Sequence, residues 1–313
     1  MVADVYRPAG GSPSPAMILL LGVNPLPRSD PQVVTLADGI ARTGIVTVVA
    51  ESQALLDGEI RPEEVDSLVA LFQLLERDPG VDPTRIGFAG FCVGAVLELL
   101  AAADPRIADR VAYVNAFSVY ADAVDVLRAI LTETQPGPNG PEMWTPNSLT
   151  RQVFVRHIVS QLPAEQDRRI LTSAFVDAAS PSPQEMALLT SLGRGVYDLL
   201  ANKDGAQFDR LLGNLPPEYL DPLKRLSPRY SADRIRARVY LMHDVGDGYL
   251  PVAGARQLAA TMPSATRVQY TEFQMFSHVV PGQVDDRMQL TGEMLKLFRH
   301  INDVLMTAHT GRS

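Results

Sequence analysis

Apolar positions in the first 120 residues alternate between short unbroken runs and stretches spaced at three and four. Ala16–Leu21 is one continuous run, the pattern of a strand buried on both faces. Asp30-Pro31 then supplies an N-cap with proline in the first turn. Val33, Leu36, Ala37, Ile40 and Ala41 follow at helical spacing until Gly44 ends them. Ile45–Val49 predicts the next strand, and Val65, Leu68, Val69, Phe72 and Leu75 mark one face of the next helix. Arg85–Ala89 reads as a strand running straight into an apolar helix over Val93–Ala103, and Val111–Asn115 closes the series. Before them all, Val5–Tyr6 is strand-like and ends in a loop, Arg7–Gly11. Strands separated by single helices pair in parallel, so a parallel, doubly covered sheet is expected.

The pattern breaks between Tyr120 and Tyr230. Only helical patches such as Val124/Leu127/Ile130/Leu131 and Val153/Phe154/Ile158 stand out, separated by loop-like Gln135–Pro141 and Ser180–Pro183. A segment of that length is too long for a bare loop and predicts an inserted helical cap. Alternation resumes with a strand at Val239–Met242, a helix from about Val252 to Met262 and a strand at Arg267–Thr271. A last amphipathic helix carries Leu290, Met294, Leu297, Phe298, Ile301 and Leu305. The expected organisation is a core of residues 1–119 and 231–313 around a cap of residues 120–230.

Candidate chemistry concentrates at Gly90-Phe91-Cys92-Val93-Gly94, between the predicted strand and helix. Small residues two before and two after Cys92 permit a sharp turn that lifts its side chain above the sheet, at the positive end of the helix dipole. Without chemistry, Cys92 reads as a small buried apolar residue. A nucleophile needs a base held by an acid, each in a loop after a later strand. Asp247, in His243-Asp244-Val245-Gly246-Asp247-Gly248-Tyr249-Leu250-Pro251, stands before a proline-started helix; Asp244 and Asp122 are its rivals. The Asp-Gly pair also has a purely turn-forming reading. Of five histidines, His278 alone falls in a loop after the last strand. In these roles Asp247 fixes the imidazole and His278 takes the proton of Cys92. Oxyanion donors are expected from the Val93 amide and from Gly22-Val23-Asn24-Pro25, with Val23 preferred and Asn24 second.

Composition narrows the classes. One cysteine excludes an internal disulfide and a cysteine-rich zinc site. With 28 Lys+Arg against 36 Asp+Glu, the net charge of −8 argues against a nucleic-acid binder or a polybasic membrane anchor. The chain has no phosphate loop, no His-Glu-x-x-His and no dinucleotide fingerprint, so neither metal nor cofactor is expected. Arg168-Arg169 and Arg234–Arg238 read as solvated clusters, and Trp144 as packing within the cap. No run approaches the roughly 20 residues of a bilayer span, and the first residues have no signal-peptide pattern. A cytoplasmic protein is expected, its oligomeric state open. Because the chain opens almost directly on a strand-like segment, room is left for an N-terminal extension beyond this sequence.

Gly90-Phe91-Cys92-Val93-Gly94, Asp247–Pro251 and Ser277-His278, with Gly22-Val23-Asn24 as a weaker fourth piece, resemble the α/β-hydrolases. The cysteine makes the chain most similar to their dienelactone-hydrolase branch. The resemblance covers Ala16–Asn115 and Arg238 to the C-terminus. It implies an α/β-hydrolase fold, a mostly parallel doubly wound sheet with the helical cap inserted between the later strands. It also implies metal-free hydrolysis of a small carboxylic ester, lactone or thioester through an acyl-cysteine intermediate. The chain departs from that branch in having Leu19-Leu20-Leu21-Gly22 where the branch carries a glutamate, and in the size of its insertion. A non-catalytic protein of the same fold, binding a small ligand under its cap, is the alternative; redox sensing by Cys92 ranks third.

Overall fold

The unbroken apolar runs become the centre of a seven-stranded sheet in a computed structural model of the chain. The structure describes residues 1–10, 13–23, 26–263, 266–282 and 286–311. Gly11 of the first loop lies outside them. The strands are β1 (Val2–Tyr6), β2 (Ser14–Leu20), β3 (Val46–Glu51), β4 (Val81–Phe91), β5 (Tyr113–Phe117), β6 (Arg238–Asp244) and β7 (Val268–Phe273). They lie in the order β1-β3-β2-β4-β5-β6-β7. β1 is antiparallel to β3, and the other pairs are parallel. β1 sits on the outer edge, and its exposed alternate positions explain why little of it beyond Val5–Tyr6 reads as strand.

Helices cover both faces, and α4 (Val252–Thr261) links β6 to β7. Val33 and Ala37 of α1 (Pro31–Arg42) and Val304 and Ala308 of α5 (Arg287–Thr310) pack in one cluster with Met17, Leu19, Val49 and Ala89. Successive strand residues face opposite ways, so Phe88 points to the other side. There it stacks on Phe72 of α2 (Glu64–Leu75), ring centroids 5.8 Å apart, beside α3 (Cys92–Ala102), which is buried along nearly its whole length. Each such phenylalanine contributes about 2–3 kcal/mol by burial. The chain runs from β2 through α1 to β3, then through α2 to β4 on the opposite side of β2. Strand order therefore reverses between β2 and β4. The carboxyl ends of the strands at such a switch point form the usual ligand crevice of an open α/β sheet.

The chain divides into two units, residues 1–121 with 226–311, and residues 122–225. The second is mainly helical, with Glu165–Phe175 packed against both Ser148–Ser160 and Ser191–Leu200. The expectation of helices and loops alone fails there: Thr134–Gly137 and Gly140–Met143 pair as an antiparallel hairpin. Pro136 opposes Pro141, the second strand is fully exposed, and so no alternation of apolar and polar positions signals it. Gly140, at φ +123, takes the backbone out of the turn in a conformation that side chains disfavour. Among the described residues, no helix is long and apolar enough to cross a membrane.

One buried group runs against the core's chemistry. Glu98 of α3 has no exposed surface, and among the described residues neither of its carboxyl oxygens has a hydrogen-bond partner. Burial holds its pKa well above the usual 4.5. In the fold the carboxyl therefore keeps its proton to a higher pH than it does in the unfolded chain. Stability must fall as pH rises from 4.5 toward the folded value, by about 1.4 kcal/mol per pH unit. Glu98→Gln takes up no proton, so its stability advantage over the wild type is expected to grow with that slope. Denaturant midpoints at pH 5 and pH 8 check this, and parallel pH curves for the two proteins would show that Glu98 is ionised.

Candidate active site

β4 ends at Phe91 and α3 begins at Cys92, with no intervening loop. That abrupt turn holds Cys92 at φ +54, a left-handed conformation costly for any residue with a Cβ and found where a site over-determines the backbone. The glycines around it are required by close approach. A Cβ on Gly94 would lie 2.6 Å from the Leu20 carbonyl oxygen, and one on Gly22 would lie 2.7 Å from the Cys92 Cβ. A Cβ on Gly90 would overlap the Glu98 carboxyl. The Cys92 side chain is half-buried.

The N-cap of α3, Phe91, makes no side-chain cap, so the Val93 amide stands in an uncapped first turn. Val23 is the next residue after Gly22, which packs on Cys92. Both expected donor residues therefore adjoin Cys92 in sequence or through one contact, at the switch point between β2 and β4. Asn24, the second choice, and Pro25 lie outside the described residues. A small, mostly apolar cavity opens beside Gly22, lined by Leu21, Leu26, Leu55 and Leu56 with Arg28 and Glu51 at its polar end. Arg28 is tied there to Asp4 (3.0 Å) and Glu51 (2.6 Å).

Asp247 and His278 come together in loops after β6 and β7. His278 Nδ1 lies 2.8 Å from Asp247 Oδ2, the geometry of an N–H donated to the carboxylate. Asp247 is almost fully buried, and its Oδ1 accepts from the backbone amides of Tyr249 (2.7 Å) and Leu250 (3.2 Å). Burial raises the pKa of Asp247, but His278, His243 and Ser118 reverse this and bring it below the usual 3.8. For His278, burial works downward; the charge of Cys92 and hydrogen bonds to Asp247 and Cys92 win and push it up to about 10. The imidazole thus faces Cys92 on one side and Asp247 on the other.

His278 is not in an open loop. Phe276–Ser277 pairs with Val280–Pro281 as a minimal hairpin with His278 and Val279 at its turn, and His278 has φ +60. Asp244, a rival for the acid, anchors this hairpin: Oδ2 accepts from the amides of Met275 (2.9 Å) and Phe276 (2.8 Å), and Oδ1 from that of Gly246 (2.9 Å). Asp122, the other rival, is the N-cap of helix Ala123–Thr132, accepting from the Val124 amide. His243 is buried at the end of β6, where Nε2 donates to the Leu250 carbonyl at 3.1 Å; burial lowers its pKa.

Two contributors were not foreseen. Ser118, the residue after β5, is fully buried at φ +58; its hydroxyl donates to Asp247 Oδ2 at 2.6 Å and lies 3.2 Å from His278 Nδ1. Its own amide is fixed on the Met242 carbonyl of β6 at 2.8 Å. Nothing in Ala116-Phe117-Ser118 sets this serine apart as a sequence, beyond its place at a strand's carboxyl end. Tyr249 stacks on the His278 ring, centroids 4.3 Å apart. Its position two residues after Asp247 was visible, its partner was not.

No protein-family model matches the chain, and no curated protein does. Solved structures do. The chain is similar to 2,6-dihydroxy-pseudo-oxynicotine hydrolase, with TM-score 0.53 and 15% identity over 98% of this chain; it spans 64% of that protein's length. Est1E of Butyrivibrio proteoclasticus, solved with ferulic acid bound, matches with TM-score 0.51 and 12% identity over 95% of this chain and 93% of its own. Esterase 2 of Thermogutta terrifontis, solved phosphonylated by sarin, matches with TM-score 0.53 and 14% identity over 96% and 89%. Identities this low speak to the fold. Together with strand order, two-sided helical cover and the turn at Cys92, they establish that the chain has the α/β-hydrolase fold.

Proposed function

We propose that the protein hydrolyses a small carboxylic ester, lactone or thioester, with Cys92 as nucleophile, His278 as base and Asp247 as the group that orients it. The observation that carries this reading is one line of contacts: Cys92 held at φ +54 against His278, and His278 Nδ1 2.8 Å from the buried Asp247. In the reaction the Cys92 sulfur attacks the acyl carbon, and its proton is held by His278. The tetrahedral oxyanion is met by the amides of Val93 and Val23. Collapse transfers the His278 proton to the departing oxygen or sulfur and leaves an acyl-cysteine. Water, deprotonated by His278, then releases the acid and restores the thiol. The apolar cavity beside Gly22 favours a small apolar substituent. The inserted unit, drawn in the sequence at 120–230, is read as the cap of this fold. The cysteine and the branch it resembles make a dienelactone-hydrolase-like ester hydrolase the finer reading, and the cytoplasm its expected place.

Iodoacetamide gives the test, because the chain has one thiol. One equivalent of label should abolish turnover of p-nitrophenyl acetate, a saturating ester should slow labelling, and His278→Ala should change the labelling rate. Labelled protein that keeps full turnover would contradict the assignment.

Ser118 acts through Asp247. Ser118→Ala removes a hydrogen bond to a charged acceptor, worth about 1.5–3 kcal/mol. The expected result is a kcat about 10-fold lower with KM unchanged and a displaced pH–rate profile. A stability loss with unaltered kcat and pH profile would assign Ser118 to the fold alone.

A further inference from the structure

Tyr249 meets the candidate base and the candidate acid at once. Its ring lies on the His278 imidazole, centroids 4.3 Å apart and planes 21° from parallel. Its backbone amide donates to Asp247 Oδ1 at 2.7 Å, beside the Leu250 amide at 3.2 Å. The same turn is tied back to the end of β6 by His243, whose Nε2 donates to the Leu250 carbonyl at 3.1 Å. Acid and stacked ring therefore belong to one fixed turn, and a shift of either carries the other.

The stack supplies a restraint that the hydrogen bonds leave open. Asp247 Oδ2 holds His278 at Nδ1, and the Ser118 hydroxyl approaches that same nitrogen at 3.2 Å. Contacts made at one atom leave the imidazole free to roll about the line through it. A ring laid against its face blocks that roll and fixes where the far nitrogen points. Tyr249 is only half-buried, so filling the core does not account for its place. The contact also has a sign. The face of a phenol ring is the negative side of its quadrupole and attracts a cation laid over it. The other titratable groups facing His278 are Asp247, Cys92 and His243. Asp247 and the charge of Cys92 favour the imidazolium. His243, its pKa lowered by burial, is neutral near pH 7 and adds no opposing charge. The Tyr249 face works in the same direction as Asp247.

We propose that Tyr249 is a positioning residue for the base: its ring fixes the plane of His278 and favours the protonated imidazole, while its amide fixes Asp247. The inference rests on His278 as the base of the proposed hydrolysis. There the imidazole must hold the proton taken from Cys92 until the leaving group departs, and the stacked ring acts in that interval.

NMR of the full chain, labelled with 13C at histidine Cε1 in a Cys92→Ala background, reads the His278 titration without the thiol; His278→Ala assigns the signal, and the other histidines report that each variant is folded. Tyr249→Leu should lower the His278 midpoint by about 0.5–1 pH unit. Tyr249→Phe keeps the face and should leave the midpoint in place. With Cys92 restored, Tyr249→Leu should lose about 3- to 10-fold in kcat for p-nitrophenyl acetate at unchanged KM, and Tyr249→Phe should recover it. An unmoved midpoint in Tyr249→Leu overturns the proposal, whatever the turnover. So does a midpoint that moves equally in Tyr249→Phe, which would assign the effect to the hydroxyl. A midpoint that falls in Tyr249→Leu alone, in a protein that turns over esters without acylating Cys92, upholds the stack and contradicts the nucleophile instead.

Discussion

Cys92→Ala is expected to lower kcat/KM for a small ester by about 10⁴–10⁶-fold while leaving the melting temperature within a few degrees of the wild type. The magnitude follows from removing a nucleophile whose partners act as a unit: without it, only binding and oxyanion stabilisation remain. The unchanged stability follows from the backbone. Cysteine and alanine carry the same Cβ, so the strain at φ +54 is present in both proteins. The half-buried thiol also leaves little packing to lose. Kinetics and a thermal scan on the same preparation check both halves. Turnover near the wild-type level would mean that another group attacks.

Asp247→Asn is expected to cost about 10⁴-fold in kcat, for a reason specific to this site. Oδ1 accepts two backbone amides, from Tyr249 and Leu250, and an amide nitrogen there would face two donors. The asparagine must therefore keep its oxygen at that position and present its NH2 where Oδ2 stood, toward Ser118 and His278 Nδ1. His278 can then only accept at Nδ1, so its proton moves to the other nitrogen, the one that must take the proton of Cys92. The imidazole is held in the wrong tautomer with its position scarcely changed. Steady-state kinetics with near-wild-type KM check this, and a loss below 10-fold would mean that Asp247 does not set the tautomer.

Much of this was legible in the sequence because its causes are local. The buried strands read as apolar runs since β2 and β4 are covered on both faces, and α1 announced its start through Asp30-Pro31. The turn at Cys92 was legible because only glycine fits where Leu20, Leu21 and Cys92 itself crowd the backbone. What stayed hidden depends on tertiary placement. Ser118 is one of many serines until β5 and β6 set it against Asp247. Asp244 and Asp247 are equivalent as turn-forming aspartates; the amides each one meets separate them, and those of Met275 and Phe276 lie far along the chain. Glu98 lies within the run read as an apolar helix, Val93–Ala103, and only the packing around it leaves its carboxyl without a hydrogen-bond partner among the described residues. The hairpin at 134–143 has prolines where a strand pattern would have alternation.

Trapping the intermediate tests the central claim most directly. The protein is mixed with p-nitrophenyl acetate, quenched in acid within the first turnovers, digested and mapped by mass spectrometry. The account predicts one acetyl group on the peptide containing Cys92, released by hydroxylamine at neutral pH as a thioester, and absent in Cys92→Ala. Hydrolysis that proceeds with no acyl group on Cys92, or with the acetyl on a serine, would contradict it.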